Sequence, residues 1–401
     1  MKQYINEFKT KILKSKLFIA FSVLIFVLTG ISLFNYSAPK EDKLYADLFN
    51  KSYRIFSVPL PDKLDFCGEP VPLNSFDVRE RLDREMLVNV FWQSQTIMLH
   101  KRAARWFPVI EPILKRNGVP DDFKYLSLIE SGFQNVISPS DAVGFWQFLE
   151  ETGKKNGLEV SIEVDERYSV EKSTEAACKY IVESKQKLGS WTVAAASYNM
   201  GVTGIKRQID YQENSNYYDL MLNNETSRYL FRILAIKEIM KHPKKYGFYL
   251  RKADLYPPIK TYKVQVDTTV SDWVVFAKSQ NVSFKILKIF NPWIREKQLT
   301  NKTKKSYQVE LPMPGYDDYE HLLAESEVRS SDTAYVIDYE EMLRDSGREF
   351  NSNPRIHKVA LGETVESIAK KYDCDAAIIR SKNKLKETEQ PKVDSEIIVG
   401  C

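Results

Sequence analysis

The sequence predicts a mainly α-helical domain followed by two small βααβ modules, and three observations carry that expectation. Residues 79 to 245 hold one helical apolar pattern after another, with no alternating strand pattern between them. After Pro257-Pro258 the period changes, and "IKTYKVQV" and "SYQVELP" alternate like strands around two short helical stretches. The last segment, opening on "RIHKVALGETVESIAKKY" and closing on "EIIVG", repeats that order. A chain of 401 residues has room for two or three such units.

Taken in order, the first element is not globular. "MKQYINEFKTKILKSK" carries five lysines against one acid, and residues 17 to 34 follow without a single charge. Those 18 residues nearly cross a hydrocarbon core of ~30 Å, with the lysines holding the N-terminal side in the cytoplasm. Residues 1–34 therefore read as a membrane anchor or as a cleaved signal peptide, and either one exports the remainder. No cysteine follows the apolar run before Cys67, which argues against lipid attachment there. Residues 35–78, polar and dotted with prolines, read as a stalk with little structure of its own.

The helical domain is expected over 79–250. Helical spacing runs from Arg79 to Asn117, interrupted near Pro108 and Pro112 and closed by Gly118. Pro120 sits where a first helical turn tolerates it, and Asp121 and Asp122 suit the positive end of the helix "DDFKYLSLIES". Further helices are expected over 171–188, 190–200 and 225–241.

The two modules, 257–315 and 354–401, read as a divergent duplication. Phe276-Ala277-Lys278 matches Ile368-Ala369-Lys370, and Asn291 and Asn383 follow the alanines at the same interval. For both asparagines, a side chain that caps a helix or turn competes with a ligand contact. Residues 316–353 read as a linker with some helix.

Composition narrows the function. With 43% hydrophobic and 28% charged residues the chain can bury real cores, and a net charge of +4 excludes a nucleic-acid binder carried by bulk charge. The four histidines are scattered without ligand spacing, so nothing in the sequence calls for a metal or cofactor. Cys374 and Cys401 share one module and are the candidate disulfide pair; Cys178, among alanines, reads as a buried thiol.

The chemistry centres on "KYLSLIESGFQNV". On a helix, Phe123, Leu126, Ser127 and Glu130 share a face while Tyr125, Leu128 and Ile129 make the other side apolar, so Glu130 emerges at the C-terminal end of a helix buried nearly all round. Burial and the negative end of the helix dipole both favour its neutral acid. A neutral carboxylic acid can protonate a glycosidic oxygen. Around it, "SPSDAVGFWQFLEETG" offers Gly144 for close backbone approach, Phe145 and Trp146 for stacking on sugar faces and Gln147 for hydrogen bonds. "WTVAAASYNMG" brings Tyr198 and Asn199, and "NETSRYLFRILAIKEI" brings Tyr229. Taken singly, Trp146 and Tyr229 are large residues of the kind that cores bury.

In this order and spacing the motifs resemble the soluble-lytic-transglycosylase (lysozyme-like) superfamily: "ESGF" with Glu130 and Ser131, "GFWQF" with Gly144 and Gln147, "SYNMG" with Tyr198, Asn199 and Gly201, and "ETSRY" with Tyr229. Ser197 stands where the family usually has alanine. "HKVALGETVESIAKKY" with Asn383 resembles a LysM domain, of which 257–315 would be a degenerate relative. The resemblance implies a lysozyme-like catalytic domain of the α+β superfamily, peptidoglycan strands as partner and a place in the cell envelope, on the periplasmic side of the inner membrane. It implies Glu130 as the catalytic acid, and Ser131, Gly144, Gln147, Tyr198, Asn199 and Tyr229 as substrate-binding residues, with Ser131 orienting the acid. It also implies a non-hydrolytic cleavage with 1,6-anhydro ends. The alternatives are a hydrolytic muramidase, with an acid such as Asp141 positioning water, and an inactive wall-binding scaffold.

Overall fold

A computed structural model describes residues 55–329, 356–372, 374, 376–386 and 389–399. The basic N-terminus and apolar run, the first part of the expected stalk, most of the linker and Cys401 lie outside the described residues. Among the described residues, no helix is long and apolar enough to cross a membrane.

The helical domain opens with a two-residue hairpin, β1 (Asp65–Phe66) and β2 (Glu69–Pro70), followed by α1 (Phe76–Phe91), α2 (Gln93–Arg116) and α3 (Phe123–Ser131). Next come α4 (Glu150–Lys155), α5 (Val170–Leu188), α6 (Trp191–Met200), α7 (Val202–Gln212) and α8 (Asn224–Lys241). Helix α8 is the hub: every residue from Tyr229 to Met240 except Arg232 is buried, and α1, α3 and α6 pack around it. A helix buried on all sides sits in the middle of its domain, and its buried Lys237 is paired there with Asp122.

Two expectations are corrected here. The helix over 79–117 is not interrupted at its prolines: α2 runs through Pro108 and Pro112. Both prolines are exposed, so water reaches the carbonyls they leave unpaired. The break falls instead at Trp92, whose φ of −89° and ψ of 59° separate α1 from α2. Likewise, the end of the expected stalk is part of the domain. Leu64, Phe66, Val71 and Leu73 are buried, and Phe66 meets Phe123 edge-on at 5.2 Å. The Glu69 carboxylate accepts from Trp191 N (2.7 Å) and from Thr192 N (2.8 Å), capping α6 from outside its own sequence. Asp122 does not simply face the helix end either: its carboxylate accepts from Cys67 N and from the buried Lys237 ammonium.

The C-terminal half has the expected pattern. β3 (Thr261–Val266), α9 (Trp273–Ser279), α10 (Phe284–Phe290) and β4 (Tyr307–Pro312) form the first βααβ module, with β3 and β4 antiparallel in the register Val264↔Val309. After α11 (Tyr319–Arg329), the second module follows with β5 (Ile356–Lys358), α12 (Val365–Lys371), α13 (Ala376–Lys382) and β6 (Glu396–Ile398), again antiparallel, His357↔Ile397. Cys374 is disulfide-bonded, while Cys67 and Cys178 are free thiols.

Candidate active site

Helix α3 ends at Gly132, whose φ of 58° is left-handed. A Cβ there would lie 3.3 Å from both Leu99 Cδ2 and Arg102 Nη1, so only glycine turns the chain at this point. The turn leaves Glu130 on the last turn of a helix whose residues from Phe123 to Leu128 are all buried.

Glu130 is half-buried, and its carboxyl group is pushed above the ordinary glutamate range. Loss of water is the main cause, and the negative charge of Glu225 adds to it. Two groups pull the other way: the Tyr229 hydroxyl, which donates to Glu130 Oε1, and the Arg232 guanidinium. Tyr198 and Tyr229 are themselves pushed well above the ordinary phenol range by burial and by Glu130, so both remain protonated donors. Arg232 lies one turn beyond Tyr229 on α8 and donates to Ile129 O at 3.3 Å. The sequence reading missed it; the signal was its i+3 spacing from Tyr229, which places it on the same side of α8.

The "GFWQF" loop is tied to this helix from two sides. Ser131 Oγ donates to Phe145 O (3.0 Å) and accepts from Phe133 N (3.1 Å), while Ser127 Oγ also donates to Phe145 O (3.1 Å). Ser131 thus anchors the loop that faces Glu130, and no bond joins it to the carboxyl group among the described residues. Gly144 has the same character. Its φ is 80°, and a Cβ would come within 2.1 Å of Arg167 O, so the close approach it permits is to the protein's own backbone. Arg167 completes the arrangement by pairing with Asp165 and donating to Phe148 O at 3.1 Å.

Phe145 and Trp146 are corrected as sugar platforms. Phe145 is stacked on Phe133 at 5.3 Å and meets Trp106 edge-on at 5.0 Å, and the fully buried Trp146 donates to Thr174 Oγ1 at 2.8 Å. They are the core of the loop.

The polar groups on the open side are Gln147, Tyr198 and Asn199, all half-buried. Gln147 Nε2 donates to Gly144 O at 2.8 Å, which fixes the amide and leaves its oxygen without a partner among the described residues. Tyr198 donates to Trp146 O at 2.8 Å. Asn199 Oδ1 accepts from Thr226 Oγ1 (2.7 Å) and its Nδ2 donates to Glu225 Oε1 (3.2 Å). The structure brings loop 144–147, α6 and α8 together around Glu130 through these bonds. Among the described residues, no group of three or more His, Cys, Asp or Glu is placed to hold a metal ion.

Comparison with known proteins agrees with this construction. Residues 107–221 match the transglycosylase SLT domain, residues 262–315 the soluble lytic transglycosylase C-terminal LysM-like domain, and residues 357–400 the LysM domain. The chain is 26% identical over 279 residues to membrane-bound lytic murein transglycosylase D of Escherichia coli strain K12, a match covering 68% of this chain and 58% of the relative. The protein of the same name from Escherichia coli O6:H1 strain CFT073 matches to the same extent. The chain therefore spans just over half the length of these curated relatives. The mainly helical unit thus carries the match to the transglycosylase SLT domain and the two βααβ modules the matches to LysM-type domains, and the chain as a whole is similar to the membrane-bound lytic murein transglycosylases D.

Proposed function

We propose that this protein is a peptidoglycan lytic transglycosylase of the cell envelope that cleaves the bond between N-acetylmuramic acid and N-acetylglucosamine. The observation that carries the reading is the setting of Glu130: a single carboxyl group at the end of a buried helix, held toward its neutral form and fixed by the Tyr229 hydroxyl.

The neutral Glu130 protonates the leaving glycosidic oxygen, and the C1–O bond breaks as positive charge builds on the muramic ring. The sugar's own C6 hydroxyl then attacks C1, and the Glu130 carboxylate takes the hydroxyl proton and returns to its starting form. The bond from O6 to C1 replaces the one lost, giving a 1,6-anhydro end without water. Tyr229 lowers the cost of the carboxylate stage, while desolvation favours the acid stage. One group can therefore serve both. Gln147, Tyr198 and Asn199 hold the sugar so that C6 faces C1, and this positioning replaces a second carboxylate. Ser131 and Gly144 act one step back, by setting the loop.

The acid that acts electrostatically on Glu130 is Glu225, not Asp141, and it is already engaged with Asn199. This favours the transglycosylase over a muramidase that positions water on Asp141. The LysM modules keep the enzyme on an insoluble polymer, raising local substrate concentration. Residues 1–34 supply the anchor or export signal. Digestion of purified sacculi in heavy-oxygen water tests the chemistry: the products are expected to carry no solvent oxygen, whereas a label at each new reducing end would establish hydrolysis.

A further inference from the structure

Loop 136–148 has a second face. One face presents Phe145 O and Trp146 O to Ser131 and Tyr198 at the catalytic site. The other, through Ile137, Asp141 and Val143, lines a cleft of about 730 Å³, the size of a peptide or small-ligand site. The opposite wall belongs to the first βααβ module, at Arg295 and Glu296. That wall is fixed, because Asp165 N donates to Trp293 O and Arg295 N to Glu163 O, both at 2.9 Å.

The lining is mixed in a specific way. Ile137, Leu149 and Ile162 are exposed by 59%, 47% and 82%, giving apolar contact surface. Asp141 and Glu151 have no ion-pair partner among the described residues, and neither has Arg295, whose guanidinium lies 4.1 Å from the Tyr168 ring centroid. A cleft with uncommitted charges of both signs between apolar side chains suits a short peptide bearing an ammonium and a carboxylate. It does not suit a bare sugar chain, which has no charge and binds on open aromatic faces.

We propose that this cleft receives the stem peptide of the strand lying at Glu130, with Asp141 and Glu151 holding the ammonium of its diamino acid and Arg295 a carboxylate. The assignment rests on the lytic-transglycosylase reading for the identity of the peptide. The stem leaves the muramic acid ring through the lactyl group on C3, two carbons from the reacting C1, and loop 136–148 contributes to both sites. The first module thereby contributes one wall of a substrate site, beyond any grip on glycan.

The test is titration calorimetry on the full chain carrying Glu130→Gln, with a sugar-free tripeptide of alanine, glutamate and diaminopimelate as probe. Binding is expected, and it should weaken about tenfold or more on Glu151→Lys, on Arg295→Glu, and on acetylating the side-chain amine of the probe. Both substituted residues are exposed, so the fold tolerates the changes. In the chain with Glu130 intact, cleavage of glycan stripped of its peptides should be the same with and without each cleft substitution. No binding to the Glu130→Gln chain, or binding that ignores both charge reversals, would overturn the proposal. Because binding is read without turnover, failure of the lytic reading would appear separately, as absent cleavage.

Discussion

The two βααβ modules share a plan and differ in what completes them. Each uses one asparagine as a clasp. Asn291 accepts from Glu310 N (2.7 Å) and donates to Leu287 O (3.0 Å) and Glu310 O (2.6 Å); Asn383 accepts from Ile398 N (2.8 Å) and donates to Ile379 O (2.8 Å) and Ile398 O (2.9 Å). The same side chain thus ties the second helix to the second strand in both. The cores differ. That of the second module comes from its own Val359, Val365, Ile368, Ala369, Ile379, Ile397 and Val399. That of the first includes Val143, Val164 and Tyr168 of the helical domain, packed with Trp273, Leu287 and Ile294. Lys305 extends the joint by pairing with Glu159 and Glu166, and Thr300 N donates to Glu163 at 2.7 Å. One module is a structural part of the helical domain, and the other is complete by itself, as a small domain reinforced by a disulfide can be.

Truncation should separate the two modules most sharply. Ending the chain after Tyr256 exposes Val143, Val164 and Tyr168, a loss on the order of 5 kcal/mol of apolar burial, enough to consume much of a domain's stability. The expected result is an insoluble or strongly destabilised helical domain in thermal melts. Ending it after Arg329 removes the second module and should leave the melting of the helical domain unchanged, while reducing retention on sacculi in a pull-down.

The clasps give the next effect. Asn291→Ala strands buried backbone groups and should cost about 2–4 kcal/mol. Because the first module shares its core with the helical domain, the loss should appear in the main unfolding transition. Asn383 is only half-buried, so water can replace part of its clasp, and Asn383→Ala should cost about 1–2 kcal/mol. It should leave the main transition in place.

Acid separates the regions by sign. Glu363 is held at about 2 by the Ala360 N–H and His357, and Glu366 at about 2 by Arg380, against an ordinary 4.5. Their contribution is complete above about 4.5 and is lost as the pH falls toward about 2, so the second module should weaken over that window. Glu130 behaves oppositely. Its raised value means that the unfolded chain ionises first as the pH rises past 4.5, so the helical domain loses stability up to the pH at which Glu130 ionises in the fold. Melting curves of Glu130→Gln should therefore lie above the parent at pH 7 and converge with it below about pH 4. A higher parent at neutral pH would contradict the raised value. The smallest effect belongs to Lys305→Ala, a partly exposed ion-pair loss of about 1 kcal/mol at the joint, read by denaturant titration.

The parts of the molecule that depend on local pattern were legible in the sequence. Helix α3 is one, because its apolar residues and terminal Gly132 specify both burial and turn. The paired modules are another, through Ala277 and Ala369 and the two asparagines. What depended on distant partners was not. Glu69 caps a helix more than a hundred residues away, so the hairpin that carries it reads as stalk. Phe145 and Trp146 look like ligand platforms until Phe133, Trp106 and Thr174 close over them. Pro108 and Pro112 look like breaks until both are seen on the solvent face. Ser131, expected to orient the acid, bonds instead to Phe145 O of the loop, and the hydroxyl that reaches Glu130 is that of Tyr229.

The proposed reaction stands on one carboxyl group, Glu130, performing both proton transfers. Mass spectrometry of muropeptides released from purified sacculi, by the parent chain and by Glu130→Gln, tests it most directly. The parent is expected to release products lighter by one water than their hydrated counterparts, and the variant, still bound to the sacculi, to release none. Hydrated reducing ends, or undiminished release by Glu130→Gln, would contradict it.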